Sequence, residues 1–343
     1  MPAETTVVLA GESERAEWDR YVASQPDATG YHEWAWRGVF ERTFGHRSVY
    51  LIARAQGQVQ GVLPVVDMRS RLFGRSMTSM PFVNYGGVLA SSEAAARALL
   101  DAAVVEARAR GSSHIELRHF VRRFDALPVK QHKVTMRLPL GAGMWERLDR
   151  KVRNQVRKAE KSQLVATQGG VELVEEFYRV FARNMRDLGT PVYSRRLFED
   201  VLAAFPGRAR LTVVRLGAVP VAAGLSYRTG PMTEVPWASS VRDYNSLCPN
   251  HLLYWRIIES AQAEGCETMD FGRSTPDEGT YKFKEQWGAA PVPLYWEYWL
   301  RDGGQVPDHS PKNPKFRMAV AAWRKLPLPV ANLLGPHIVR SIP

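Results

Sequence analysis

The feature that most constrains this chain is an internal match at one fixed spacing. Gly265 stands 154 positions after Gly111 (265 − 111), and the same spacing pairs Ile115 with Met269, Glu116 with Asp270 and Leu117 with Phe271. In both places a helical pattern stops at the glycine and a short strand follows. The helix before Gly111 runs from Glu93 to Arg110; the one before Gly265 is predicted from Asn250, as its N-cap, to about Glu264. Each is preceded by a hairpin: Val49–Ala55 and Val59–Val66 flank Gln56-Gly57-Gln58, and Leu211–Arg215 and Val219–Tyr227 flank Leu216-Gly217-Ala218. Units of about 150 residues with this order predict two similarly built α/β lobes, duplicated, with mixed sheets flanked by helices and a ligand cleft where they meet.

The rest of the chain fits around this repeat. Residues 13–22 and 31–44 are expected to be helical, the second with Trp34, Trp36, Val39, Phe40 and Phe44 on one apolar stripe facing the core. Pro64 disfavours a central strand position. Met80–Leu89 replaces a regular element with a Pro and Gly-Gly turn that would let a ligand approach the backbone, with Asn84 and Tyr85 as its polar handles. Between the lobes, Asp149–Lys161 places Arg150, Arg153, Arg157 and Lys161 on one helical strip and Val152, Val156 and Ala159 on another. A helix over 177–185, the turn Gly189-Thr190-Pro191 and a helix reaching about Ala204 follow, with Tyr193, Arg195 and Arg196 after the turn. Residues 311–343, rich in proline, are expected to form a tail packed over the body; peripheral membrane contact is the second reading of that tail. The expected boundaries are 1–145 for the first domain, 146–310 for the second, with the basic helix 149–161 at its start, and 311–343 for the tail.

The stretch most suited to chemistry is Asp270–Gly288. A strand end runs into a loop containing Arg273, Ser274, Tyr281 and Lys284. Arg273 and Lys284 offer positive charge to a phosphate or oxyanion, Asp270 a carboxylate and Tyr281 a hydroxyl, all on a segment short enough to converge. A solvated surface loop is the bland alternative, as a solvated face is for the basic strip. The formal net charge of +11 points to an anionic partner, a phosphate-bearing substrate, a nucleic acid or a membrane surface.

Other chemistries are unsupported. No phosphate loop, Gly-x-Gly-x-x-Gly, His-Glu-x-x-His or Gly-x-Ser-x-Gly motif is present, and Cys248 and Cys266 have no metal-type spacing. No cofactor and no metal are therefore expected. The basic strip lacks the aromatic platform or helix-turn-helix pattern of a nucleic-acid reader, so no DNA partner is expected, and RNA binding rests on charge alone. The N-terminus shows no signal-peptide pattern and no apolar run is long enough to span a bilayer, which gives a cytoplasmic expectation.

Asp270-Phe-Gly272 followed by Tyr281-x-Phe-Lys284-x-x-Trp-Gly288, with Lys151–Lys161 upstream, resembles the FemAB family of aminoacyl and acyl transferases. Cys248-Pro-Asn-His-Leu-Leu-Tyr-Trp255, Asn184–Tyr193 and Leu326–Pro336 resemble its branch associated with exosortase (PEP-CTERM) and exopolysaccharide systems. The resemblance implies two tandem GNAT-like domains and transfer of an acyl or aminoacyl group, with aminoacyl-tRNA a candidate donor, to an amine of a phosphate-linked cell-envelope or exopolysaccharide precursor. It assigns Lys284 to stabilising the transition state; Asp270 or Tyr281, from their chemistry on the same segment, are the expected proton relay. Arg273, Arg153, Arg157 and Lys161 would hold phosphate, with Ser274, Asn84, Tyr85, Trp237 and Tyr254 as further substrate-binding residues. Two departures stand out: Arg273-Ser274 replaces a glycine common in the wall-bridge enzymes, and no coiled-coil arm interrupts the second lobe. An acetyl-CoA enzyme would need a [Gln/Arg]-x-x-Gly-x-[Gly/Ala] loop at a helix start, and only Arg54-x-x-Gly57-x-Val59, inside a hairpin, approaches it. A non-catalytic scaffold that holds a lipid-linked polysaccharide intermediate is the alternative from another class.

Overall fold

The computed structural model describes residues 5–70, 74–307 and 314–342. In chain order these form β1 (Thr5–Leu9), α1 (Arg15–Ser24), α2 (Ala35–Phe44), β2 (Arg47–Ala55), β3 (Gln58–Ser70), β4 (Gly74–Ser79), β5 (Leu89–Ala90), α3 (Glu93–Ala109), β6 (His114–His119) and β7 (Val129–Pro139). The second half supplies α4 (Met144–Arg147), α5 (Arg150–Lys161), β8 (Leu164–Gly169), α6 (Val174–Leu188), α7 (Arg195–Ala204), β9 (Ala209–Leu216), β10 (Val219–Thr229), β11 (Met232–Ser240), α8 (Pro249–Ala263), β12 (Thr268–Ser274), α9 (Gly279–Glu285), β13 (Ala290–Leu300), α10 (Pro314–Trp323) and α11 (Leu328–Val339). They fall into two compact units, one within residues 1–132, 293–308 and 341–343, the other within 133–292 and 309–340.

The repeat read from the sequence is present in both units. In the first, α3 is capped by the Ser92 hydroxyl, ends before Gly111 at φ +73°, and leads to β6, which lies parallel to β4. In the second, α8 ends before Gly265 at φ +75° and leads to β12, parallel to β11. Only a residue without Cβ takes this left-handed turn at no steric cost, which is why the two glycines hold the register of the repeat. Strand order in the first unit is β1-β2-β3-β4-β6-β13 with β5 beside β3, and in the second β7-β12-β11-β10-β9-β8. Each unit is thus a mixed sheet flanked by helices.

The last strand of each sheet departs from a simple duplication. β7 follows β6 in the chain but pairs antiparallel with β12, Arg137 opposite Asp270; β13 follows β12 but pairs with β6, Tyr298 opposite Glu116. The closing strand of each unit therefore comes from the other half of the sequence.

Three local expectations change. Pro64 lies in β3, an interior strand of its sheet. It is tolerated because it falls between the two partners on one edge: β5 pairs with Gly61 and Val62, and β4 begins at Val65. Asn250 is not the N-cap of α8. Cys248 turns the chain at φ +61° and Pro249 takes the first helical position, where its missing N–H would be unpaired anyway. The segment after β12 is not all loop, since α9 occupies half of it.

The stripe on α2 is core, with Trp36, Val39, Phe40 and Phe44 buried. The valines and Ala159 of α5 pack with α8, β12 and Trp287 in the core of the second unit, whereas α6 and α7 build an aromatic cluster of Phe177, Phe181 and Phe198 against Trp237.

Candidate functional site

The site grows from a defect in the β12–β7 ladder. Asp270 faces Arg137 and Arg273 faces Thr135, so β12 carries one residue more than β7 over this interval. Gly272, at φ +76°, absorbs the bulge, a conformation that favours glycine. Asp270 is fully buried beside it. It accepts hydrogen bonds from the Thr135 hydroxyl, from the Gly272 amide at 2.7 Å and from Arg137 Nε at 3.2 Å. A buried carboxylate is costly unless paired, and these donors satisfy its oxygens while pinning the bulge.

The turn at 275–278 then leads into α9. Tyr281 and Lys284 are three residues apart and share a face, and Lys282 and Lys284 sit in the last turn, where positive charge suits the helix dipole. Lys284 is 7% exposed, and its Nζ donates to the carbonyls of Gly272 at 2.8 Å and Arg273 at 3.1 Å. Burial lowers its pKa to about 8. The Asp270 charge opposes that shift, Arg273 adds to it, and Glu234, buried opposite Asp270 on β11, opposes it more weakly. The amine is therefore poised near neutrality, with two of its N–H groups donated to backbone carbonyls.

Beside it, the first turn of α8 brings in His251. Its ring lies edge-to-face with Phe283 at 5.1 Å and stacks with Trp287 at 5.9 Å. Burial, and secondly the Lys151 charge, lowers its pKa to about 4, so the imidazole is neutral at pH 7. Among the described residues, His251 Nε2, Trp287 Nε1 and Ser274 Oγ are buried with no hydrogen-bond partner. Buried polar atoms without a partner also occur elsewhere among the described residues, Thr78 Oγ1 and Ser112 Oγ among them, but these three lie on the elements around Lys284.

The basic helix forms as expected, capped by Asp149 Oδ1 on the Lys151 amide at 2.6 Å. Arg150, Arg157 and Lys161 are exposed and Arg153 is half-buried; none has a carboxylate partner among the described residues, and Arg157 lies over the Trp145 ring at 5.4 Å. Since Lys151 acts on His251, the first turn of this strip belongs to the same neighbourhood as the Lys284 cluster.

Of the residues expected from sequence, Asp270, Arg273, Ser274, Tyr281 and Lys284 are brought together on β12 and α9. Tyr254 joins the aromatic layer behind them, 5.0 Å from Phe271 and 5.4 Å from Phe283, with its phenol pKa raised by burial. Trp237 lies instead against Phe198 in the α6–α7 cluster. Asn84 and Tyr85 belong to the first unit, where Tyr85 is buried against Tyr31 and Phe120. There the close approach that Gly86 and Gly87 permit is made by protein: a Cβ on Gly87 would lie 2.1 Å from the His119 ring, and one on Gly86 2.5 Å from Met80. Arg137, Thr135 and Glu234 went unrecognised because only strand pairing puts them here. His251 and Trp287 lay inside stretches already singled out, but nothing in their spacing announced that they stack.

Comparison with known proteins bears on the fold. Residues 147–285, within the second unit and containing Lys284, match the acetyltransferase (GNAT) domain family. The fold is that of FemX, at 16% identity and TM-score 0.65, covering 85% of this chain and 96% of that one. It is shared by the C-terminal domain assigned to a lysylphosphatidylglycerol synthetase from Agrobacterium fabrum, at 12% identity and TM-score 0.57, covering 85% and 93%. A tandem GNAT protein from the clavulanic acid biosynthesis pathway is similar as well, at 12% identity and TM-score 0.55, covering 89% and 100%. No curated protein matches. The architecture is a tandem GNAT fold.

Proposed function

We propose that this tandem GNAT chain is an N-acyl or aminoacyl transferase that passes an activated acyl group to an amine of a phosphate-linked envelope or exopolysaccharide precursor, as in the FemAB branch tied to exosortase systems. The observation that carries the reading is Lys284: a buried amine held on two carbonyls, poised near pH 8, beside orphaned polar atoms inside the GNAT-matched segment. In its ammonium form the position not bonded to backbone donates to the oxyanion that develops as the acceptor amine attacks the acyl carbonyl. The C–N bond forms as the ester C–O bond breaks, and the amine proton must leave. Asp270 is occupied by three donors and fully buried, so the relay falls to Tyr281, half-buried on the same face as Lys284. The unpaired cations Arg153, Arg157 and Lys161 would hold phosphate, with Arg273 and Ser274 nearer the reacting atoms.

An acyl thioester is the second donor considered, favoured by the acetyltransferase match. Against it, the turn entering α8 (242–248) holds no glycine, and Pro249 removes one amide from the helix start where a pyrophosphate would sit. Mass spectrometry of envelope precursors and surface polysaccharide from cells with and without the chain tests the proposal: an acyl or aminoacyl mass that disappears with the chain and returns with it, but not with Lys284→Ala, is expected. Unchanged masses together with tight precursor binding would establish a scaffold instead.

A further inference from the structure

The C-terminal helices carry a surface that the transfer reading does not use. α11 is apolar on two sides. Ala331, Gly335 and Val339, spaced by four, are buried, and a Cβ on Gly335 would lie 2.8 Å from the Val192 backbone, so this small-residue face seats the helix on the second unit. Val330, Leu333 and Leu334 point the other way into solvent, Leu333 at 69% exposure. α10 is seated similarly by Val320 against Gly189, which leaves Met318 84% exposed. Leu188, also exposed, adjoins them, because Arg324 Nη2 donates to its carbonyl at 3.2 Å. A surface helix normally turns its polar side outward; this one turns large aliphatic side chains outward and buries small ones.

Charge identifies what would cover it. Residues 309–343 contain Lys312, Lys315, Arg317, Arg324, Lys325 and Arg340 and no Asp or Glu, so this tenth of the chain contributes +6 of the net +11. Arg317, Arg324 and Lys325 are exposed without a carboxylate partner among the described residues. A second copy would bring an equally positive face and be repelled. Large aliphatic groups ringed by cations without carboxylate partners suit an anionic lipid surface, where the leucines enter the acyl boundary and the cations meet phosphate head groups. No described helix is long and apolar enough to cross a membrane, so the contact lies along the surface.

We propose that α10 and α11 dock the protein onto anionic lipid bilayers through Met318, Val330, Leu333 and Leu334, flanked by Arg317, Arg324 and Lys325. The test is flotation of the full chain with phosphatidylcholine vesicles with and without phosphatidylglycerol, read without any transfer assay, so its outcome is independent of the enzymatic reading. Binding to the anionic vesicles alone is expected. Arg317→Gln with Lys325→Gln should weaken it by about fivefold per charge, and Leu333→Ser with Leu334→Ser by about tenfold per leucine. Both variants should melt with the parent, since the positions are exposed. Absence of flotation, parental binding by both variants, or light scattering that shows an oligomer abolished by the leucine changes would overturn the proposal.

Discussion

Glu116 and Asp270 occupy the same place in the two halves of the repeat, and their surroundings differ instructively. Glu116 is buried and accepts from Arg118 Nε at 2.7 Å and the Tyr298 hydroxyl at 2.9 Å, while the Arg118 guanidinium lies over Trp296. One step along, Glu297 accepts from the Phe124 amide at 2.7 Å and is 2.6 Å from His119 Nδ1, whose Nε2 accepts from the Val88 amide. Both carboxylates and both His119 nitrogens in that network face another protein group, although Arg118 Nη2 is buried with no hydrogen-bond partner. The connection from β6 to β7 spans only 120–128 and contains no helix, so nothing there corresponds to α9 or Lys284. In the second unit the longer connection from β12 to β13 lowers a lysine onto the bulge and leaves His251, Ser274 and Trp287 with unmatched polar atoms. Duplication supplied two similar frames; one pairs its buried carboxylates with Arg118, Tyr298 and His119, and the other sets a buried lysine over a strand bulge.

That contrast can be broken most forcefully at Glu116. Glu116→Ala should strand Arg118 in the core and cost about 3–5 kcal/mol of stability, read as a fall in denaturant midpoint, while the protein that remains folded keeps its specific activity. Lys284→Ala should do the reverse. Transfer is expected to fall ~10² to 10³-fold, as for loss of an oxyanion donor, with the fold intact by circular dichroism; full activity in this variant would remove Lys284 from the mechanism.

The titration of Lys284 sharpens the same point. Its amine loses a proton near pH 8 in the folded protein and near 10.5 when unfolded, so between these values the unfolded chain holds more protons. The group therefore stabilises the fold increasingly as pH rises, by about 3 kcal/mol by the upper end of the window, and Lys284→Met should lose that pH-dependent gain in urea titrations. If the ammonium is the active form, kcat/KM should decline about tenfold per pH unit above 8; a rise toward pH 8 would instead make the neutral amine the working species. The smallest effect is expected on the basic strip. Arg153→Ala or Arg157→Ala should raise KM for a phosphate-bearing acceptor about tenfold with kcat unchanged.

Local pattern made much of this legible. The hairpin turns, the glycines that end α3 and α8, the capped basic helix with its free cations and the buried stripe on α2 all follow from preferences that act within a few residues, and the 154-residue spacing followed from seeing them twice. Lys284 was singled out by its motif, not by its surroundings. Where nearby residues compete, sequence reading slipped: Cys248 and Pro249 displaced Asn250 at the start of α8, and α9 formed in a stretch whose glycine and proline suggested loop.

The sequence by itself therefore determined the two hairpins, the helix–glycine–strand units in their twofold order and the basic, acid-free C-terminal segment. The tertiary structure alone decided that β7 and β13 each close a sheet with the other half's strand, that Arg137 and Thr135 meet Asp270, and that Lys284 is buried deeply enough to approach neutrality. Strand partners are chosen among distant segments, and a pKa responds to the water excluded by all of them together. Neither quantity is carried by the residues on either side of the one that shows it.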